Sequence, residues 1–130
     1  MKHKLIFTIT LMLFASLSLA EEGRRELYEP SQNPNALYRL FNTHNIYTLI
    51  KLDTRAGQIW QLQWGNDEDH NVIFPINTKA LVINGKPGRL TLYPTQNIYT
   101  FILLDQETGD TWRVQWGETE NNRFVQKIVE

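Results

Sequence analysis

Residues 66–71 read "NDEDHN", and within them Asp67, Asp69 and His70 form the densest group of metal-capable side chains in the chain. Hard oxygen donors at alternate positions suit calcium, and Asp67, Asp69 and Asn71 have the spacing that opens an EF-hand loop. Val72 stands where that loop needs glycine, Thr78 where it needs a bidentate glutamate, and the flanking runs are β-forming rather than helical. The cluster reads as a polar hairpin loop, and Asp67, Asp69 and His70 stay only as weak metal candidates.

Nucleophilic chemistry has little to work with. There is no cysteine, and after residue 20 the single serine is Ser31, with no glycine-framed nucleophile turn around it. Thr48 and Thr100 lie in β-forming runs and read as strand residues. Past residue 20 the histidines are His44 and His70, both better read as exposed loop residues than as a general base. Two carboxylate pairs, Asp53 with Asp105 and Glu68 with Glu120, could face each other as in a glycosidase. Asp53 and Asp105 already have a turn role, accepting backbone N–H groups at the start of two loops.

The elements that would position these groups are written twice. "NIYTLIKLDTRAGQIWQLQWG" at 45–65 and "NIYTFILLDQETGDTWRVQWG" at 97–117 align without gaps at an offset of 52, with 12 of 21 positions identical. Such self-similarity marks an internal duplication. Inside each copy the period is two: Trp60, Leu62 and Trp64 alternate with Gln61 and Gln63, and Trp112, Val114 and Trp116 with Arg113 and Gln115. "DTRAGQ" and "DQETGD" place glycine where a three-residue hairpin loop needs a positive φ. That loop pairs Thr54 with Gln58, Leu52 with Trp60, Ile50 with Leu62 and Thr48 with Trp64, gathering one apolar face. A one-residue slip would set Trp60 against Lys51 and mix the faces.

Eight or nine short strands are expected, near 37–42, 46–53, 58–64, 71–76, 80–84, 89–93, 98–105, 111–116 and 123–129. The fold class is all-β, a single domain of two tandem β-hairpin repeats, about 37–77 and about 89–130. It is expected as a small antiparallel barrel or sandwich with pseudo-twofold symmetry and four inward tryptophans.

The segments "LDTRAGQIW" and "LDQETGDTW" resemble the hairpins of quinoprotein-type β-propeller blades, in which Leu-Asp, Thr-Gly and a docking tryptophan follow one another. In that family the tryptophan comes one residue later and six to eight blades close a ring. The resemblance implies the hairpin chemistry and no quinone cofactor; no cofactor is expected. The chain from residue 21 also resembles small exported bacterial proteins of two such repeats, whose function is unknown. That likeness implies the fold and no activity.

Lys2 and Lys4, the apolar run "LIFTITLMLFASLSLA" and small residues at Ser18 and Ala20 make residues 1–20 a secretory signal peptide cleaved after Ala20. The product is expected to be periplasmic or secreted, without membrane insertion. Residues 21–35 read as a flexible polar arm on which Leu27 and Tyr28 could dock, and 36–130 as the all-β domain. Without Lys2 and Lys4, eleven basic residues face fourteen acidic ones, which gives no electrostatic case for nucleic acid.

The repeats differ most on one strand. Where the first has Leu49 and Lys51, the second has Phe101 and Leu103 beside Tyr99. Tyr99, Phe101, Leu103 and Arg113 form the candidate binding patch on the outer face, to be covered by the arm, another strand or a partner. The leading functional reading is a non-enzymatic exported module that binds a protein or a glycan. A carboxylate-based hydrolase or pocket-bearing barrel is the first alternative, and a structural self-associating subunit, hence a homo-oligomer, the second.

Overall fold

The computed structural model describes residues 33–130. The expected signal peptide and the expected arm as far as residue 32, with Leu27 and Tyr28, lie outside the described residues. Residues 33–35, the end of the expected arm, are exposed and run past Gly88, where a Cβ would come within 2.8 Å of the Pro34 carbonyl oxygen.

The described residues form eight strands in two antiparallel sheets. The first is β1 (Tyr38–Asn42), β2 (Thr48–Asp53), β3 (Ile59–Gln63) and β4 (Val72–Asn77), hydrogen-bonded in chain order. The second is β5 (Leu90–Pro94), β6 (Thr100–Asp105), β7 (Thr111–Gln115) and β8 (Phe124–Ile128), in the same order. A single 3₁₀ turn precedes β4 and another precedes β8. The protein is therefore all-β with two similar halves, and neither sheet closes on itself into a barrel.

The strand expected at 80–84 is absent, because its backbone is used elsewhere. Leu81 and Val82 both donate N–H to the Ala56 carbonyl, at 2.7 and 3.2 Å, folding the connection over the first hairpin loop. Their side chains pack on the core from below. The strand run expected from residue 46 begins at Thr48, since Asn45 and Thr43 build a turn. Thr43 Oγ1 donates to the Thr48 carbonyl at 2.8 Å and Asn45 Oδ1 accepts the Tyr47 N–H at 2.8 Å. Thr95 and Asn97 repeat both bonds in the second half.

The hairpin register differs from the expected one by one residue. Asp53 N–H donates to the Gln58 carbonyl at 2.9 Å, which closes a loop of four residues, not three. The cause is the aspartate: Asp53 Oδ1 accepts the N–H of both Arg55 and Ala56, at 2.9 and 3.0 Å, so Asp53 ends the ladder and Thr54 joins the loop. Gly57 supplies the expected positive φ, +85°, and Gly109 does so at +79°. Trp60 consequently faces Lys51, Leu62 faces Leu49, and Gln61 faces Ile50. This is the slipped register, and each side chain of β3 changes face relative to β2 with it.

The slip has a different outcome in each half. In the first sheet Phe41, Ile50, Leu52, Ile59 and Gln61 are buried, while Lys51, Trp60 and Leu62 point away from the core. In the second sheet Leu92, Phe101, Leu103, Trp112 and Val114 are buried, the positions equivalent to Leu40, Leu49, Lys51, Trp60 and Leu62. The two repeats thus bury opposite faces of the same hairpin against each other. A twofold stack is self-complementary and would bury matching faces. The sheets are instead stacked head to tail, which replaces the expected pseudo-twofold relation. Of the tryptophans, Trp112 and Trp116 are buried, Trp60 is half-buried and Trp64 is exposed, so the expectation of four inward rings holds only for the second repeat.

Polar bonds fix the stack. Arg39 Nη1 donates to Thr91 Oγ1 at 3.2 Å, linking β1 to β5, and Gly117 N–H donates to Gln61 Oε1 at 3.1 Å, linking the end of β7 to β3. The Arg123 guanidinium lies 4.4 Å from the Phe74 ring centroid, beside the contact of β4 with β8. These bonds join β1 to β5 and β3 to the end of β7, and β4 lies against β8, while β2 also touches β5.

Candidate binding face and its flanking recess

The candidate patch is divided by the fold. Phe101 and Leu103 are 3% and 0% exposed, sealed in the core by the first sheet, so they present no surface. Arg113 is exposed on the opposite side of the second sheet, with Arg113 Nη2 donating to Gln126 Oε1 at 2.9 Å and its guanidinium 4.9 Å from the Phe124 ring centroid. Tyr99 lies at the sheet end, against Trp116 at 4.9 Å between centroids. The cover anticipated for the apolar strand is internal.

Among the described residues an apolar face remains open, on the first sheet. Tyr38, Leu40, Trp64 and Ile73 are exposed there, and Leu49, Trp60 and Leu62 are half-buried beside them. Strand alternation puts these residues on one side once the four-residue loop has set the register. Lys51 is the lone cation among them. Its Nζ stands 4.7 Å from the Trp60 ring centroid and 5.8 Å from that of Tyr38, over the negative ring faces. The signal for this face was present in the doubled text, since Lys51 occupies a position where the second copy has an apolar residue.

At the end of this face a recess of about 280 Å³ is walled by Tyr47, Gln63, Trp64, Gly65, Asn66, Asp67 and His70. Tyr47 meets Trp64 edge-on at 5.3 Å between centroids. Gly65 is required by the turn that forms its floor: a Cβ there would stand 2.6 Å from His70 Cβ. The second repeat has the same recess at Tyr99, Gln115, Trp116, Gly117, Glu118, Thr119 and Asn122, of about 250 Å³, position for position. Trp116 in that copy is 4% exposed and Trp64 is 46% exposed, so only the first presents an open indole to a ligand.

The weak metal candidates fall at this recess without forming a metal centre. His70 Nδ1 is 3.7 Å from Asp67 Oδ2, both side chains being exposed, and Asp69 belongs to the same 3₁₀ turn. Among the described residues no group of three or more His, Asp or Glu side chains converges as a metal site.

Asp53 and Asp105 are each 1% exposed and serve their loops. Asp105 Oδ1 accepts the N–H of Glu107 and Thr108, and its carboxylate takes two bonds from Arg89, at 3.0 and 2.9 Å. Burial pushes this carboxyl up, but the Arg89 guanidinium and the loop N–H groups outweigh it and hold the pKa at about 2. Asp105 is an anion built into a turn. Leu37 stands at the repeat position of Arg89, so the first loop has no such clamp.

No protein-family model matches this chain, and no curated protein or solved structure shows significant similarity to it. The geometry alone carries the functional reading.

Proposed function

We propose that this protein is an exported, non-enzymatic binding module whose working surface is the outward face of the first sheet. One observation carries the reading: Tyr38, Leu40, Trp60, Leu62, Trp64 and Ile73 form one apolar face that stands exposed or half-buried among the described residues. Contiguous exposed apolar surface of this kind marks interaction sites, and aromatic anchors supply most of the energy at such sites. A flat face with leucines among its aromatic rings suits a protein surface better than a glycan. Asp53 and Asp105, the carboxylates present in both repeats, are engaged in loop hydrogen bonds. Export is supported by the charge and apolar pattern of residues 1–20, and its test is N-terminal sequencing of the protein from the producing cell, which should read from Glu21.

The binding reading is tested by photo-crosslinking in the producing cell, with a benzophenone amino acid placed at position 62 or, as control, at exposed position 107. A discrete adduct from position 62 alone is expected. No adduct from position 62, or equal adducts from both, would sink the reading.

A further inference from the structure

We propose that the open face of the first sheet is covered by the second sheet of another copy of this chain, so that copies join head to tail and close into a ring. The inference rests on the reading of that face as a binding surface and names its occupant.

Repeat equivalence identifies the occupant. Tyr38, Leu40, Leu49, Trp60, Leu62 and Trp64 stand open or half-open on the first sheet. Their equivalents in the second sheet, Leu90, Leu92, Phe101, Trp112, Val114 and Trp116, are all buried, and what buries them is the inner face of the first sheet. The reverse also holds. The outer face of the second sheet carries Tyr93, Ile102, Leu104 and Ile128, with Tyr93 and Ile128 exposed. These are the equivalents of Phe41, Ile50, Leu52 and Ile76, which line the inner side of the first sheet. The described residues therefore display on their two outer faces the two halves of the junction that they already make between the sheets.

Such an interface is heterologous: two different surfaces meet, each copy offering both, and the assembly closes if the rotation per step allows. Four-stranded meanders stacked this way close at 4–8 leaves around an axis, which corresponds to about two to four copies of a two-leaf chain.

The substitutions between repeats fit the outer junction. At the inner junction Gln61 accepts the Gly117 N–H. At the outer one Arg113 takes the place of Gln61 and meets Gly65, whose N–H is already taken by Asn71 Oδ1 at 3.2 Å, so no acceptor is needed there. Two residues on, where the inner junction has Thr119, the outer one offers the carboxylate of Asp67 to that arginine. Arg113 of one copy is thereby set to enter the recess beside Trp64 of the next, completing it. Lys51 in place of Leu103 and Thr111 in place of Ile59 are costly exchanges, and they make the outer junction weaker than the inner.

Light scattering on the size-fractionated protein tests this, with Leu40→Glu on the first open face and Tyr93→Glu on the second. Both residues are exposed, and Ile73→Glu and Ile128→Glu replace them should near-ultraviolet dichroism show either unfolded. The wild type should run at two, three or four times the chain mass, and each variant at one. Mixing the two variants should yield a species of two chains and nothing larger, because each retains the surface the other has lost. Lys51→Leu should tighten assembly at least about tenfold, the scale of one buried leucine. A wild type that is monomeric at about 100 μM overturns the proposal, and so does a Tyr93→Glu variant that still assembles, since the first face would then pair with itself. Either result leaves the binding reading standing, and that reading falls only with the crosslink at position 62.

Discussion

Asp105 shows how one side chain ties stability to pH. Its folded pKa of about 2 lies below the 3.8 of a free carboxyl, because Arg89 and two loop N–H groups favour the anion over the burial that opposes it. A depressed pKa contributes stability in full above the free value and loses it as pH falls toward the folded value. Acid unfolding should therefore draw on Asp105 between about pH 4 and pH 2, and Arg89→Leu should move the acid midpoint upward, as circular dichroism against pH would record. A midpoint unchanged by that variant contradicts the role given to the pair. At the same scale Gly65→Ala would drive a Cβ to 2.6 Å from His70 and force the recess turn open. Altered Trp64 fluorescence in that variant, with the overall fold retained, is the expected sign.

Hairpin loops decide which residues those strands expose. Alternation in "IWQLQW", the loop aspartates and the turn glycines are legible in the sequence, and they give both central hairpins and the positive-φ glycines of their loops. Loop length is not legible. Asp53 accepting two N–H groups adds one residue to the loop, and the period of two turns that single residue into an exchange of faces for Trp60 and Leu62. The candidate patch failed for the same reason, Phe101 and Leu103 being core where Leu49 and Lys51 are surface. Which face of a repeat is buried depends on its neighbour in the stack and has no local signature. The loops make a prediction of their own. A Cβ at Gly109 meets nothing within 4 Å, whereas one at Gly57 meets Leu81 and Leu90 at 3.1 Å. Gly109→Ala should cost about 1 kcal/mol for its positive φ, and Gly57→Ala about 1–3 kcal/mol more for overpacking, read from urea midpoints. Equal costs would show that the connection does not press on the first loop.

In the whole molecule, stacking order matters more than any side chain. Two copies of one hairpin sequence are packed as successive leaves, so the duplication yields, among the described residues, one filled junction and two open half-junctions. The doubled text therefore encodes scaffold and surface at once, the same words being core in one copy and exposed in the other. Leu40 and Leu92 hold equivalent positions and are 41% and 1% exposed. The most direct test compares urea unfolding of Leu40→Ala and Leu92→Ala, at dilutions where the chain is monomeric. Head-to-tail stacking predicts a loss of about 2–5 kcal/mol for Leu92→Ala and well under half of that for Leu40→Ala. Equal losses at the two positions would mean that matching faces meet, and would contradict the account.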